Sequence, residues 1–434
     1  MLSSLNSHEE EDDRDHLPPH HHHHPNPSPG FVTQTGHIRD LLITCADLIS
    51  RGNLAAARHA VSLISASASP CGDAIDRLAN VFSRALSIRV SRLALVAASA
   101  APASPPPDPD ALGSAYLLLN QVTPFIRFCH LTANQAILEA VDGRRSVHIL
   151  DFDTAQGVQW PPLLQAIAER WANPASRPSI RITGTGSDLD MLHRTGERLK
   201  SFAQTLGLRF QFFPLLLPST GILSSSSSSS AAITGVSSTG SSGFINLSAF
   251  QLHPGETLAV NCVLFLHKLL RPDDVGDGWR ELRPFLRSLR AMNPAVVTVA
   301  EREASHNSPP FLHRFTEALD HYAAMFESLE ATLPASSQER LTVEQVWFGR
   351  EVTDVVAGEG EERRERHERF DRWERAMWSA GFSNLPLSPF ALSQAKLLLR
   401  IHYPLEGYQL QMMKDSLFLG WRGRPLFSVS SWRP

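Results

Sequence analysis

The stretch Ser146-Val-His-Ile-Leu-Asp-Phe-Asp-Thr-Ala-Gln-Gly-Val-Gln-Trp-Pro-Pro-Leu-Leu164 decides the fold. Residues 147–152 are a short apolar run that carries one His and an acid. Such a run, followed by a glycine-containing turn and a helix, reads as a buried strand of a parallel sheet. Pro161 and Pro162 suit the first helical turn, where the N–H groups are unpaired anyway. Leu163, Leu164, Ile167 and Ala168 then recur at helical spacing. Strand, acidic turn and helix make the usual ligand-binding corner of a doubly wound sheet.

The alternation continues downstream. Residues 179–183, 208–212, 257–262 and 295–300 read as further strands with helices between them, the signature of right-handed βαβ units. Ser187 is read as the cap of a helix burying Leu192, Leu199, Phe202, Ala203 and Leu206. A long helix is expected over about residues 310–329. Residues 361–375 are a dense charge run with acid-to-base pairs at i,i+4: Glu362/Arg366, Glu365/Arg369, Glu368/Arg372 and Asp371/Arg375. That spacing predicts a self-paired solvated helix face, with Phe370, Trp373 and Met377 inward. After a helix at 391–401, residues 408–412, 416–421 and 425–430 read as closing strands that add an antiparallel edge.

Upstream, residues 1–33 are acidic, then His-rich at 20–24, then Pro-rich, and read as a disordered tail. Three amphipathic helices follow. Their stripes run through Ile38, Leu41, Leu42, Cys45, Ala46 and Ile49; through Leu54, Ala57, Val61 and Ile64 after an Asn53 cap; and through Leu78, Ala79, Phe82, Ala85, Leu86 and Val90. They must pack on one another or on a partner. Residues 97–109 read as a flexible break. Thr132 with Gln135 reads as a capping box for a helix over 133–140 that ends at Gly143. The Ser-rich stretch 218–243 reads as a mobile insert.

The 434 residues are 42% hydrophobic, enough for a large core, and carry a formal net charge of −4. With no strongly basic segment, a mainly phosphate-driven nucleic-acid binder is disfavoured. Cys45, Cys71, Cys129 and Cys262 match no zinc template and read as free thiols. The longest apolar run, residues 258–270, is broken by Asn261, His267 and Lys268 and is too short for a bilayer. A soluble, intracellular protein with no membrane association is expected.

A methyl-donor corner would read acid-x-Gly-x-Gly-x-Gly, so that the backbone can approach the ligand. Here it reads Asp151-Phe-Asp153-Thr-Ala155-Gln-Gly157. Only the last glycine is present, and Asp153 puts a carboxylate where an anionic ligand would lie. No cofactor and no metal is expected. His148, inside the strand, reads as a buried neutral His. Glu301 and Glu303, flanking Arg302, read as an ion-pair network. Leu266-His-Lys-Leu269-Leu270 has an L-x-x-L-L pattern and reads as core.

These motifs resemble those of the plant GRAS family over residues 34–434. Val147-His148-Ile149-Leu150-Asp151 resembles the family's VHIID motif, with Leu150 for the second Ile. The helices at 38–90 and 116–140 resemble its two leucine-rich flanks. Pro310, Phe315 and Tyr322 with Arg350-Glu351 resemble the PFYRE block. Arg366-His-Glu368, Trp373, Trp421 and Ser431-Trp432 resemble the SAW block. Within the family, residues 120–139, 148–170 and 424–432 are similar to the lateral suppressor branch. No DELLA motif is present in the tail.

The resemblance implies an α/β fold: a methyltransferase-like Rossmann core, its mostly parallel sheet closed by an antiparallel C-terminal edge, with an N-terminal helical cap. The expected division is a cap and linker over 34–145 and a core over 146–434. It further implies a nuclear, non-enzymatic regulator of transcription. Such a regulator acts through DNA-binding transcription factors and other GRAS chains, as homo- or heterodimers, reaches promoter DNA mainly indirectly, and controls axillary meristem initiation and shoot branching. Asp151, Asp153, Gln156, Gly157, Gln159 and Trp160 are expected to hold the sheet end in shape. Leu41, Leu42 and Phe82 are expected at the cap interface. Two other readings stay open: an S-adenosyl-methionine-dependent methyltransferase built on Asp151, and a direct DNA binder with a local basic groove.

Overall fold

The computed structural model describes residues 29–97, 109–171, 173–217, 250–272, 279–404 and 406–434. The His run at 20–24, the Ser-rich insert and most of the 97–109 break lie outside the described residues. Five helices come first: α1 (Pro29–Ser50), α2 (Leu54–Ser67), α3 (Ala74–Ala97), α4 (Pro109–Val122) and α5 (Pro124–Ala140). The alternating part follows as β1 (Ser146–Phe152), α6 (Trp160–Arg170), β2 (Ser179–Gly186), α7 (Leu189–Thr205), β3 (Arg209–Leu216), β4 (Thr257–Val263), α8 (Leu282–Ala291) and β5 (Val296–Arg302). Then come α9 (Phe311–Thr332), α10 (Gln338–Thr342), α11 (Gly349–Ala357), α12 (Phe370–Ser379), β6 (Ser383–Leu385), α13 (Pro389–His402), β7 (Tyr408–Met413), β8 (Ser416–Trp421) and β9 (Arg424–Arg433).

The strands form one sheet in the order β3-β2-β1-β4-β5-β9-β8-β7, with β6 also on β9. The first five pair in parallel: Val147 lies opposite Ile180 on one side and Thr257 on the other. β9 runs antiparallel to β5, and the hairpin β8–β9 and strand β7 extend that edge. The α/β class and the antiparallel C-terminal edge are therefore as the sequence predicts.

Every residue of β1 from Val147 to Phe152 is buried, and successive side chains point to opposite faces of the sheet. Val147 and Ile149 face α5, α6 and α7 across a core with Leu163, Leu164, Ile167 and Leu199. Leu150 and Phe152 face the other side, where α8 and α12 bury Leu282, Phe285, Leu286, Trp373 and Met377. A third core joins α1, α2 and α3 to α9, α11 and the closing strands. The helical layer thus draws on both ends of the chain: α3 packs on α9 and α11, while α5 packs on α13 and on β5 and β9.

Several expectations need correction. α1 begins at Pro29, inside the stretch read as tail. Thr132 caps nothing. It is buried in the middle of α5, whose N-cap is Thr123 followed by Pro124. Proline at the first helical position starts the helix earlier than a capping-box search finds. Asp188, not Ser187, caps α7, its side chain accepting the Met191 N–H at 2.9 Å.

The largest error is the charge run. Residues 363–369 form neither helix nor strand, and α12 starts only at Phe370. Arg363, Glu365, Arg366 and His367 are buried. Of the four expected pairs only Glu368 and Arg372 meet as side chains, at 3.9 Å. Glu365 pairs with Arg350 instead, and Arg369 with Glu317. Pairing at i,i+4 assumes a helix; partners across the fold took the charges first.

Candidate functional site: the cleft at the carboxyl end of the sheet

Strand order reverses between β1 and β4, so the connections leave in opposite directions there and open a cleft beyond the strands' carboxyl ends. It has a volume of about 800 Å³, and its walls come from the β1, β2, β4 and β5 ends, α4, the turn before α11 and the segment 363–367.

The near half is the β1 corner. Asp151 is buried and fully engaged: the Trp160 indole N–H donates to one carboxylate oxygen at 2.8 Å and the Asn261 amide to the other at 2.8 Å. Burial nevertheless pushes its carboxyl up to about 6. Asn261 also donates to the Gln159 side chain, and Gln159 exchanges bonds with Asn134 on α5. Thr298 on β5 donates to the Asn261 carbonyl at 2.9 Å. One buried polar chain thus ties β5, β4, β1, α6 and α5 together at the sheet end. Of its members, Asp151, Gln159 and Trp160 are expected from the motif. Asn134, Asn261 and Thr298 are missed, and their only signal is a polar residue on an otherwise apolar face or strand.

The turn itself is tight. Asp153, Ala155 and Gly157 all have positive φ, at 71°, 49° and 67°. A Cβ on Gly157 would lie 2.4 Å from the Thr195 methyl, so close approach as well as φ requires glycine there. Asp153 pairs with Lys268. Gln156 is held by α7: Arg198 donates to its backbone carbonyl at 3.1 Å. His148 is buried between Thr183 and Arg181, and burial and the Arg181 charge lower it to about 4, so it is neutral at pH 7.

These residues do not fit a methyl donor. The acid that would meet it, Asp151, spends both oxygens on protein donors. Asp153 presents an anion already paired with Lys268. Pro161 and Pro162 remove N–H groups from the start of α6, where an anion would bind. β2 ends in Gly186, not in an acid that could hold a ribose, and the nearby Thr185 hydroxyl accepts the Asp153 N–H.

The far half is ionic. Arg302 at the end of β5 pairs with Glu351, which also accepts from the Tyr322 hydroxyl at 3.0 Å. Arg350 pairs with Glu365 at 2.9 Å and lies over the Trp347 ring at 5.2 Å. Burial holds Glu351 above the usual carboxylate range despite Arg302. Burial also works against Glu365, but Arg350 and His367 outweigh it and hold that carboxyl well below the usual range. Glu301 binds His267 at 2.8 Å, and Glu303 caps α12 through the Phe370 N–H at 3.1 Å. Residues of separate sequence blocks, Tyr322, Arg350, Glu351 and His367, therefore meet in one place.

Other expected site residues are placed as follows. Trp432 is buried, its indole on Ser430 at 2.9 Å, and Trp421 is buried with its indole on Glu327 at 3.3 Å. Leu266, Leu269 and Leu270 are buried, so the L-x-x-L-L segment is core as read. Leu42 and Phe82 are not at a surface: both are fully buried, Phe82 against Phe315 and Tyr322. Leu41 is half-buried against the same core. The apolar stripes, expected to pack on one another or on a partner, pack on one another and on α9 and α11. All four cysteines are free, and only Cys71 is exposed. No described helix is long and apolar enough to cross a membrane.

Comparison with known proteins agrees with this geometry. The GRAS domain family matches residues 38–433. The chain belongs to the GRAS family. It is 47% identical to Scarecrow-like protein 18 of Arabidopsis thaliana over 91% of each chain. It is 50% identical to Protein MONOCULM 1 of Oryza sativa subsp. japonica, over 91% of this chain and 88% of that one. The crystal structure of SCL7 from Oryza sativa superposes with a TM-score of 0.72 at 35% identity, covering 91% of this chain and 99% of that one. The two sequence relatives agree with the motif residues that resemble the lateral suppressor branch.

Proposed function

We propose that this GRAS chain regulates transcription in the nucleus through bound DNA-binding factors and other GRAS chains, and that it controls axillary meristem initiation and shoot branching. The observation that carries the reading is the β1 corner. In this chain a fold of nucleotide-binding type has its ligand corner filled with protein donors, which supports a scaffold role. Similarity to MONOCULM 1 over nearly the whole chain supports the branching role.

In this reading residues 34–434 work as one unit, a cap over 34–145 and a core over 146–434. Residues 147–151 with Asp153, Gln156, Gly157, Gln159 and Trp160, and Arg350, Glu351, Trp421 and Trp432, keep the sheet end and closing strands rigid for partners. Leu41, Leu42 and Phe82 serve the cap from inside, by packing.

The test is genetic and biochemical together. Plants lacking the chain are scored for axillary buds, and the tagged chain is followed in shoot-apex cells and tested pairwise against DNA-binding factors from that tissue. Fewer buds, nuclear signal and at least one direct factor contact are expected. Normal branching, or a chain excluded from nuclei, would overturn the reading. Calorimetry with S-adenosyl-methionine separates the enzymatic alternative: a Kd tighter than about 100 μM, roughly −5.5 kcal/mol, would revive it.

A further inference from the structure

We infer that His267, Glu365 and His367, at the far end of the cleft, form a binding site for a divalent transition-metal ion, zinc foremost. Two imidazoles and one carboxylate are a common donor set for zinc. The three donor atoms lie within 4.8 Å of one another. Glu365 Oε2 is 3.2 Å from His367 Nε2 and 3.6 Å from His267 Nε2. A tetrahedral ion with bonds of about 2.0–2.1 Å sets its donors about 3.3–3.4 Å apart, so both separations already suit one ion.

The supporting contacts point the same way. On its far side His267 Nδ1 lies 2.8 Å from Glu301 Oε2, the carboxylate–histidine arrangement that fixes a ligand's tautomer and frees Nε2 for a metal. His367 Nδ1 is held by His306 Nδ1 at 2.9 Å, which leaves Nε2, on the Glu365 side of the ring, as the nitrogen that can face an ion.

Glu301, fully buried, has among the described contacts only His267 as a side-chain partner, so its carboxylate is committed to orienting that ring. All three ligands line the cleft, so the fourth position opens into it and can take water or a ligand from a partner. The ion would pin the segment that carries Glu365 and His367 to the ends of β4 and β5. Sequence spacing hides the set, because His267 lies about a hundred residues from the other two.

The experiment uses the full chain with His20 to His24 each replaced by Ser, which removes the tail's own metal-binding run. Zinc and cobalt(II) are titrated against a chromophoric chelator. The expected result is one zinc per chain with Kd below about 1 μM, and a cobalt form with the intense visible absorption of a four-coordinate N/O site that zinc abolishes. His267→Gln and His367→Gln should each weaken binding at least tenfold and remove the zinc-dependent rise in Tm. No zinc retained by the tail-substituted chain would overturn the site. So would equal affinity in a folded His367→Gln chain. If that variant does not fold, the cobalt spectrum of the parent decides alone, and a weak six-coordinate spectrum overturns the proposal.

Discussion

The two halves of the cleft are built on opposite principles. Around Asp151 the β1 corner is a set of neutral donors, half of it from the β1–α6 stretch and half from α5, β4 and β5. The far half is a lattice of full charges from β5, α11 and the 363–367 segment, with the imidazoles of His267 and His367 set beside Glu365. The corner commits its polar groups to one another. The far half keeps groups whose chemistry is unspent, and so has scope for binding.

This contrast can be broken by measurement. The largest effect is expected in the far half. Glu351→Ala leaves Arg302 and the Tyr322 hydroxyl buried without their acceptor and should cost about 3–5 kcal/mol in chemical denaturation. A loss under about 1 kcal/mol would show that water or a neighbour replaces the carboxylate and that the lattice is not needed.

Next is the pH response of the corner. Asp151 has its carboxyl raised from 3.8 to about 6, so its folded form holds the proton more tightly than the unfolded one. Its contribution is complete below the unfolded value, is lost as pH rises through about 6, and is constant above that. Asp151→Asn abolishes this dependence. The stability of the variant relative to the parent should therefore rise between about pH 4 and pH 7, by on the order of 3 kcal/mol at most. A difference independent of pH would show that Asp151 is ionised throughout.

Trp160→Phe removes a single charge-assisted bond and keeps the packing, and about 2 kcal/mol is expected from thermal melts. The smallest effects are in the turn. Ala155→Gly relieves a left-handed residue and should stabilise by up to about 1 kcal/mol. Gly157→Ala, with its Cβ against Thr195, should destabilise by more than that gain. If both turn variants were neutral, the corner would be looser than its geometry implies.

Legibility in the sequence divides along the same line. The strand at 147–152, the proline-started helix after it, the parallel strands that follow and the closing antiparallel edge are all readable, because hydrophobic patterns repeat locally at periods of 2 and 3.6. Asn134, Asn261 and Thr298 are not, since nothing in three separate segments says that they converge on Asp151. Leu42 and Phe82 show the limit from another side. Their stripe was legible as a face to be buried, but not what would bury it.

The sequence by itself determined the α/β class, the family, and the loss of glycines from the corner, each a property of contiguous residues. Only the tertiary structure decided that Arg363, Glu365, Arg366 and His367 are buried outside any helix, that Glu365 pairs with Arg350 rather than four positions along, and that His267 and His367 face each other across Glu365. The physical reason is that a charge selects its partner by distance in space and by desolvation. Neither is set until strands and helices far apart in the chain have packed.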